Sequence, residues 1–71
     1  MSTEAYSFHG TVIGMTCSHC VASVTEEIQA LSGVEKVDVD LPTGAVTVIS
    51  TQPIDRADVQ SAVEEAGYQL A

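Results

Sequence analysis

Between Tyr6 and Ile13 the side chains alternate, with Tyr6, Phe8, Gly10 and Val12 on one side and Ser7, His9, Thr11 and Ile13 on the other. A period of two carried by aromatic and β-branched residues predicts a first strand, with Gly10 a weak point and a candidate bulge. Gly14 breaks the alternation. From about His19 the period lengthens, and Val21, Val24, Ile28 and Leu31 fall on one stripe of an amphipathic helix, with Glu26, Glu27 and Gln29 off it. Ser18 is the expected N-cap and Gly33 the expected left-handed stop.

Alternation resumes at Val34, then Val37, Val39 and Leu41 interleaved with Lys36, Asp38 and Asp40. Pro42-Thr43-Gly44 reads as a turn, and Ala45 to Ile49 as a third strand with Val46 and Val48 inward, so the pair forms a hairpin. Asp55 is placed to cap a second helix with Asp58 in its first turn. Ile54 and Val59 have the spacing of a hydrophobic staple. Val59, Ala62, Val63 and Ala66 make the buried stripe, Gly67 ends the helix, and Tyr68-Gln69-Leu70 reads as a short last strand. The order βαββαβ predicts an α+β, ferredoxin-like open-faced sandwich: a four-stranded antiparallel sheet with both helices on one face. That topology puts the loop after the first strand beside the turn between the second helix and the last strand.

Composition narrows this further. With 71 residues there is room for one domain, here residues 6–71 behind a short tail at 1–5 expected to be flexible. Hydrophobic residues make up 45% but aromatic ones only 4%, so the core must come from Val, Ile, Leu and Ala, and stability should be about 5 kcal/mol. Ten acids face only Lys36 and Arg56, a net charge of −8. Such a surface repels nucleic acid and anionic membranes and favours a partner with a basic patch, or it is simply a soluble face. No apolar run approaches the roughly 20 residues of a membrane span. The first residues lack the basic-then-apolar pattern of an export signal, so the expected compartment is the cytoplasm.

The only two cysteines, Cys17 and Cys20, stand three apart where the first strand gives way to the first helix. A disulfide this local staples little, so in a reducing compartment the thiols should be free for metal or for exchange. Thiolates select soft cations, and a pair suits a two-coordinate d10 ion such as Cu(I) or Hg(II). Structural zinc wants four ligands, and His9 and His19 are the remaining candidates. With His9 eight residues upstream on a strand, they match a finger poorly. A low coordination number leaves the ion open to attack by another protein's thiols, which suits handing metal over. The dithiol alternative also uses Cys-x-x-Cys at a helix start, but the chain is too short for the thioredoxin fold that usually carries it.

Gly14-Met15-Thr16-Cys17-Ser18-His19-Cys20 resembles the GMxCxxC loop of the heavy-metal-associated domain family. The likeness runs on through the helical valines, Gly33-Val34, the Val37/Val39/Leu41 strand and Gly67-Tyr68, covering roughly residues 6–71. The family includes cytosolic copper chaperones, N-terminal domains of metal-pumping P-type ATPases and mercury-binding proteins. The histidine inside the motif and the length look most like the bacterial CopZ-type copper chaperones.

The resemblance implies a copper chaperone, not an enzyme. It would bind Cu(I) through Cys17 and Cys20 and pass it by ligand exchange to a copper-transporting P-type ATPase or a copper-sensing repressor. A copper-bridged homodimer would be within its reach. Met15 matches a methionine that shapes the loop without binding metal, which agrees with a flexible side chain used as core filler. His19 matches a histidine associated with thiol acidity and affinity, although an exposed histidine at a helix start reads equally as surface. Tyr68 matches a tyrosine near the site, or is simply an aromatic covering the helix end. Relatives tuned to zinc or cadmium tend to carry an acid beside the first cysteine, where this chain has Thr16. The alternatives are an N-terminal domain of a copper-transporting ATPase and, further off, a dithiol redox protein. Met1 and an end one residue past Leu70 are what a free-standing carrier would have.

Overall fold

The computed structural model describes residues 6–71, and the expected flexible tail at 1–5 lies outside the described residues. In chain order the elements are β1 (Tyr6–Ile13), α1 (Ser18–Gln29), β2 (Val34–Val39), β3 (Ala45–Ser50), α2 (Arg56–Glu65) and β4 (Gln69–Leu70). The sheet runs β2-β3-β1-β4 with every neighbouring pair antiparallel, which is the ferredoxin-like βαββαβ arrangement.

The strand periodicity decides which side chains meet the helices. Val12, Val46 and Val48 from the sheet close on Val24 and Ile28 of α1 and Val59, Ala62 and Val63 of α2. Both helices therefore cover one face. Each fully buried Val or Ile contributes about 1.5–3 kcal/mol of transfer free energy. Phe8, Met15, Leu31, Ile54, Tyr68 and Leu70 pack around this cluster half-buried, so Ile54 joins the core that contains Val59. The opposite face of the sheet, with Ser7, His9, Thr11 and Ile13 from β1, is exposed.

The helix ends differ from one another. Asp55 caps α2, its Oδ1 accepting from the Ala57 amide at 3.0 Å. At the other end Gly67 takes φ +96, and the Tyr68 and Gly67 amides bond back to Val63 and Glu64. This is a Schellman motif, and a left-handed residue at that position is what glycine permits. Helix α1, in contrast, starts at Ser18 with Cys17 as its N-cap in an extended conformation and without a side-chain cap bond. Ser18 is thus the first helical residue and not the cap.

Other details depart from the sequence reading. Helix α1 ends at Gln29 with Ala30 as C-cap, so left-handed Gly33 shapes the turn into β2 and does not stop the helix. The register shift lies in β2 between Val34 and Lys36, while Gly10 pairs regularly with Val46. Gly10 serves packing: a Cβ there would sit 2.9 Å from the Phe8 ring. Leu41 falls beyond β2, and Tyr68 precedes β4. Gly44, φ +77, is fixed by sterics, because a Cβ would lie 2.5 Å from the Val12 carbonyl oxygen. Its own carbonyl accepts from the Val12 amide at 2.8 Å, which pins the β2–β3 hairpin to the end of β1.

Candidate metal site

Residues Gly14 to Cys17 link the end of β1 to the start of α1, and the helix starts where Cys17 lends its carbonyl to the Cys20 amide at 3.0 Å. One turn of helix brings the two sulfurs together, with Sγ–Sγ 3.4 Å. Cys17 is exposed and Cys20 is buried, both as free thiols. One sulfur therefore faces a partner and the other faces the domain. The α1 N-terminus adds partial positive charge, since its first amides lack intrahelical acceptors.

The Schellman turn after α2 sets Tyr68 against this loop. Gly14 passes close to the tyrosine, since a Cβ on it would meet Tyr68 Cδ1 at 3.4 Å. The Tyr68 hydroxyl donates to Cys20, and this is the main reason that the Cys20 thiol is pushed down to about 6. The Thr16 backbone amide and the Cys17 thiol add to the effect, while burial opposes it. The same bond pushes Tyr68 up from the ordinary phenol range, because losing its proton would set an anion against a thiolate. The Thr16 hydroxyl stands 4.0 Å from Cys20 Sγ, long even for sulfur.

The structure thus brings Cys17, Cys20 and Tyr68 together, with Met15 half-buried against the core beside them. His19 is exposed in the first turn of α1, and the hydrogen bonds to the sulfurs come from other groups. His9 sits apart on the exposed sheet face, with Nδ1 3.4 Å from the Thr47 hydroxyl. Among the described residues no group of three or more His, Cys, Asp or Glu side chains converges. The sequence reading missed the Thr16 backbone amide as a thiolate donor. Residue type cannot reveal it, because every residue but proline carries that group.

What this geometry offers is a preformed pair of sulfurs, with Cys20 held toward its thiolate form, on a rim open to another protein. Comparison with known proteins places the arrangement. The heavy-metal-associated domain model matches residues 11–69. The copper chaperone CopZ of Bacillus subtilis is 38% identical over 61 residues, covering 84% of this chain and 88% of that protein. The zinc/cadmium/lead-transporting P-type ATPase of Shigella sonnei is 41% identical over 59 residues, 83% of this chain but 8% of that protein. A solved CopZ metallochaperone superposes with a TM-score of 0.84 at 28% identity, covering 93% of this chain and 100% of that one. By sequence and by fold, the chain belongs to the heavy-metal-associated domain family.

Proposed function

We propose that this protein is a cytoplasmic Cu(I) carrier that takes up the ion on Cys17 and Cys20 and passes it to a metal-transporting P-type ATPase. The observation that carries the reading is the isolated sulfur pair, 3.4 Å apart, one exposed and one buried. Two soft ligands, with no group of three or more His, Cys, Asp or Glu among the described residues, suit Cu(I) and leave the ion open. Thr16, in place of the acid typical of zinc and cadmium relatives, supports copper over those metals. Two curated copper chaperones, each 38% identical and matched over 87–88% of their length, support a carrier over an enzyme.

Transfer follows from the asymmetry of the pair. A thiolate on the acceptor reaches the ion from the Cys17 side and forms a third Cu–S bond. The Cu–Cys17 bond then breaks, and a second acceptor thiolate displaces Cys20, which leaves last because it is the buried sulfur of the pair. Two Cu–S bonds form and two break across the sequence, each formation preceding a breakage, so copper stays bound to sulfur throughout. A copper-sensing repressor with exposed cysteines would receive the ion by the same exchange. Two copies could also share an ion through their exposed Cys17 thiolates. His19, exposed in the first turn, is within reach of a tuning or auxiliary-ligand role in these exchanges.

Anaerobic Cu(I) titration against a chelator, followed by native mass spectrometry, tests this. Tight binding should fall by at least about a hundredfold, some 2.7 kcal/mol, in Cys17→Ser or Cys20→Ser. Retained binding in either variant, or a preference for Zn(II), would overturn the reading. The second reading, a metal-binding domain of a copper-transporting ATPase, is favoured by copper-transporting ATPases in which the matched domain is a small part of a long pump. The length of the open reading frame separates the two.

A further inference from the structure

The end of the domain away from the cysteines carries a cleft of ≈ 120 Å³ between the α1–β2 turn and the β3–α2 connection. Because β1 and β3 are antiparallel, with Tyr6 opposite Ser50, this end is one helix length from Cys17. For the 12 residues of α1 that is about 18 Å.

The cleft is rigid. The Gly33 carbonyl accepts from the Ser50 hydroxyl at 2.9 Å, the Thr51 amide at 2.9 Å and the Thr51 hydroxyl at 3.3 Å. The Ser50 hydroxyl, 1% exposed, also accepts from the Gln52 amide, so the two walls are laced together. Its lining divides by chemistry: Leu31, Pro53 and Ile54 are apolar, while Asp55 and Asp58 bring carboxylates.

Charge selects the occupant. One Asp55 oxygen is used as the α2 cap, which leaves the other free to accept. The α1 C-terminus, with its partial negative charge and no basic residue in its last turn, also points to this end. The partial positive charge of the α2 N-terminus offsets only one helix end, so the carboxylates dominate. The chain's two basic residues do not fill the place: Arg56 donates to the Ala71 carbonyl, and Lys36 lies across from Ile49 on the exposed sheet face.

An apolar wall ending in carboxylates fits an aliphatic stem that ends in an ammonium. We propose that this cleft receives a lysine side chain from a basic protein partner, at a docking point separate from the thiol pair. A partner could then hold the domain by this end while the sulfurs stay free for exchange.

The test uses reduced, metal-free protein, so it stands or falls independently of the copper reading. Amide shifts would be followed by NMR on titration with N-acetyl-lysine-methylamide, its Nε-acetylated counterpart and putrescine. Saturable shifts at Leu31, Gln52, Ile54 and Asp58 are expected from the charged lysine derivative and not from its acetylated counterpart, with putrescine binding more weakly. Binding should weaken about fivefold in Asp55→Asn/Asp58→Asn, the scale of an exposed ion pair, and asparagine keeps the cap. Equal shifts from the acetylated compound would reduce the cleft to an apolar dimple. Shifts spread over all surface acids, or tighter binding of putrescine, would also overturn the proposal.

Discussion

At the scale of single residues, the chemistry turns on one hydrogen bond. Cys20 is pushed down to about 6 chiefly by the Tyr68 hydroxyl, and Tyr68 is pushed up by the same contact. The O–H···S⁻ pair therefore exists between about pH 6 and the raised phenol titration. The thiol titrates lower folded than unfolded. Its contribution is thus complete above the unfolded thiol range and is lost as pH falls through about 6. Metal binding should weaken over the same descent, because protons compete for the sulfur. Replacing Tyr68 with Phe removes the leading cause, so the Cys20 midpoint, read as thiolate absorbance in a Cys17→Ser background, should move upward. An unmoved midpoint would assign the effect to the backbone amides instead. Cys17 and Cys20 stood out in the sequence through motif spacing, and Tyr68 only through the family resemblance. Their coupling was not, since it depends on where a Schellman turn delivers a phenol.

At the scale of elements, the two helices show what the site costs. Helix α2 has a side-chain cap and a glycine stop, whereas α1 begins at a cysteine that makes no cap bond. An extended N-cap position suits serine far better than a thiol, so Cys17→Ser should stabilise the metal-free domain by up to about 1 kcal/mol while abolishing metal binding. Asp55→Ala should cost about 1 kcal/mol. Ser18→Ala should cost little, because Ser18 is not the cap; urea unfolding of the three variants would check this ranking. The sequence pointed to Ser18 because serine is the usual capping residue. What decided otherwise was the turn that brings Cys17 to the helix start. The hairpin was legible in outline from Pro42-Thr43-Gly44, but the reason for Gly44 is tertiary. Its missing Cβ makes room for the Val12 carbonyl, so Gly44→Ala should destabilise by about 3 kcal/mol, combining backbone strain with a clash. Likewise, the β2 register shift has no residue signature, because Val34 and Lys36 are ordinary strand residues.

At the scale of the whole molecule, charge is the dominant asymmetry. A net charge of −8 sits on a body whose radius of gyration is 11.5 Å. The screening length at 0.1 M salt is about 10 Å, so at lower salt nearly every acid feels the others. Placement sharpens the cost. Glu26 and Glu27 lie near the C-terminal end of α1, and Glu64 and Glu65 close α2, the negative ends of both helix dipoles, with no basic residue in either last turn. A small aliphatic core gives little margin to absorb such repulsion. The melting temperature of the metal-free protein should therefore rise between 10 mM and about 0.5 M NaCl, as screening relieves the repulsion. Glu65→Lys should stabilise the domain by about 0.3–1 kcal/mol at low salt, reversing one unfavourable dipole contact. High salt should shrink that gain. A gain independent of salt would trace it to side-chain propensity or packing, and the acidic helix ends would then carry no electrostatic cost.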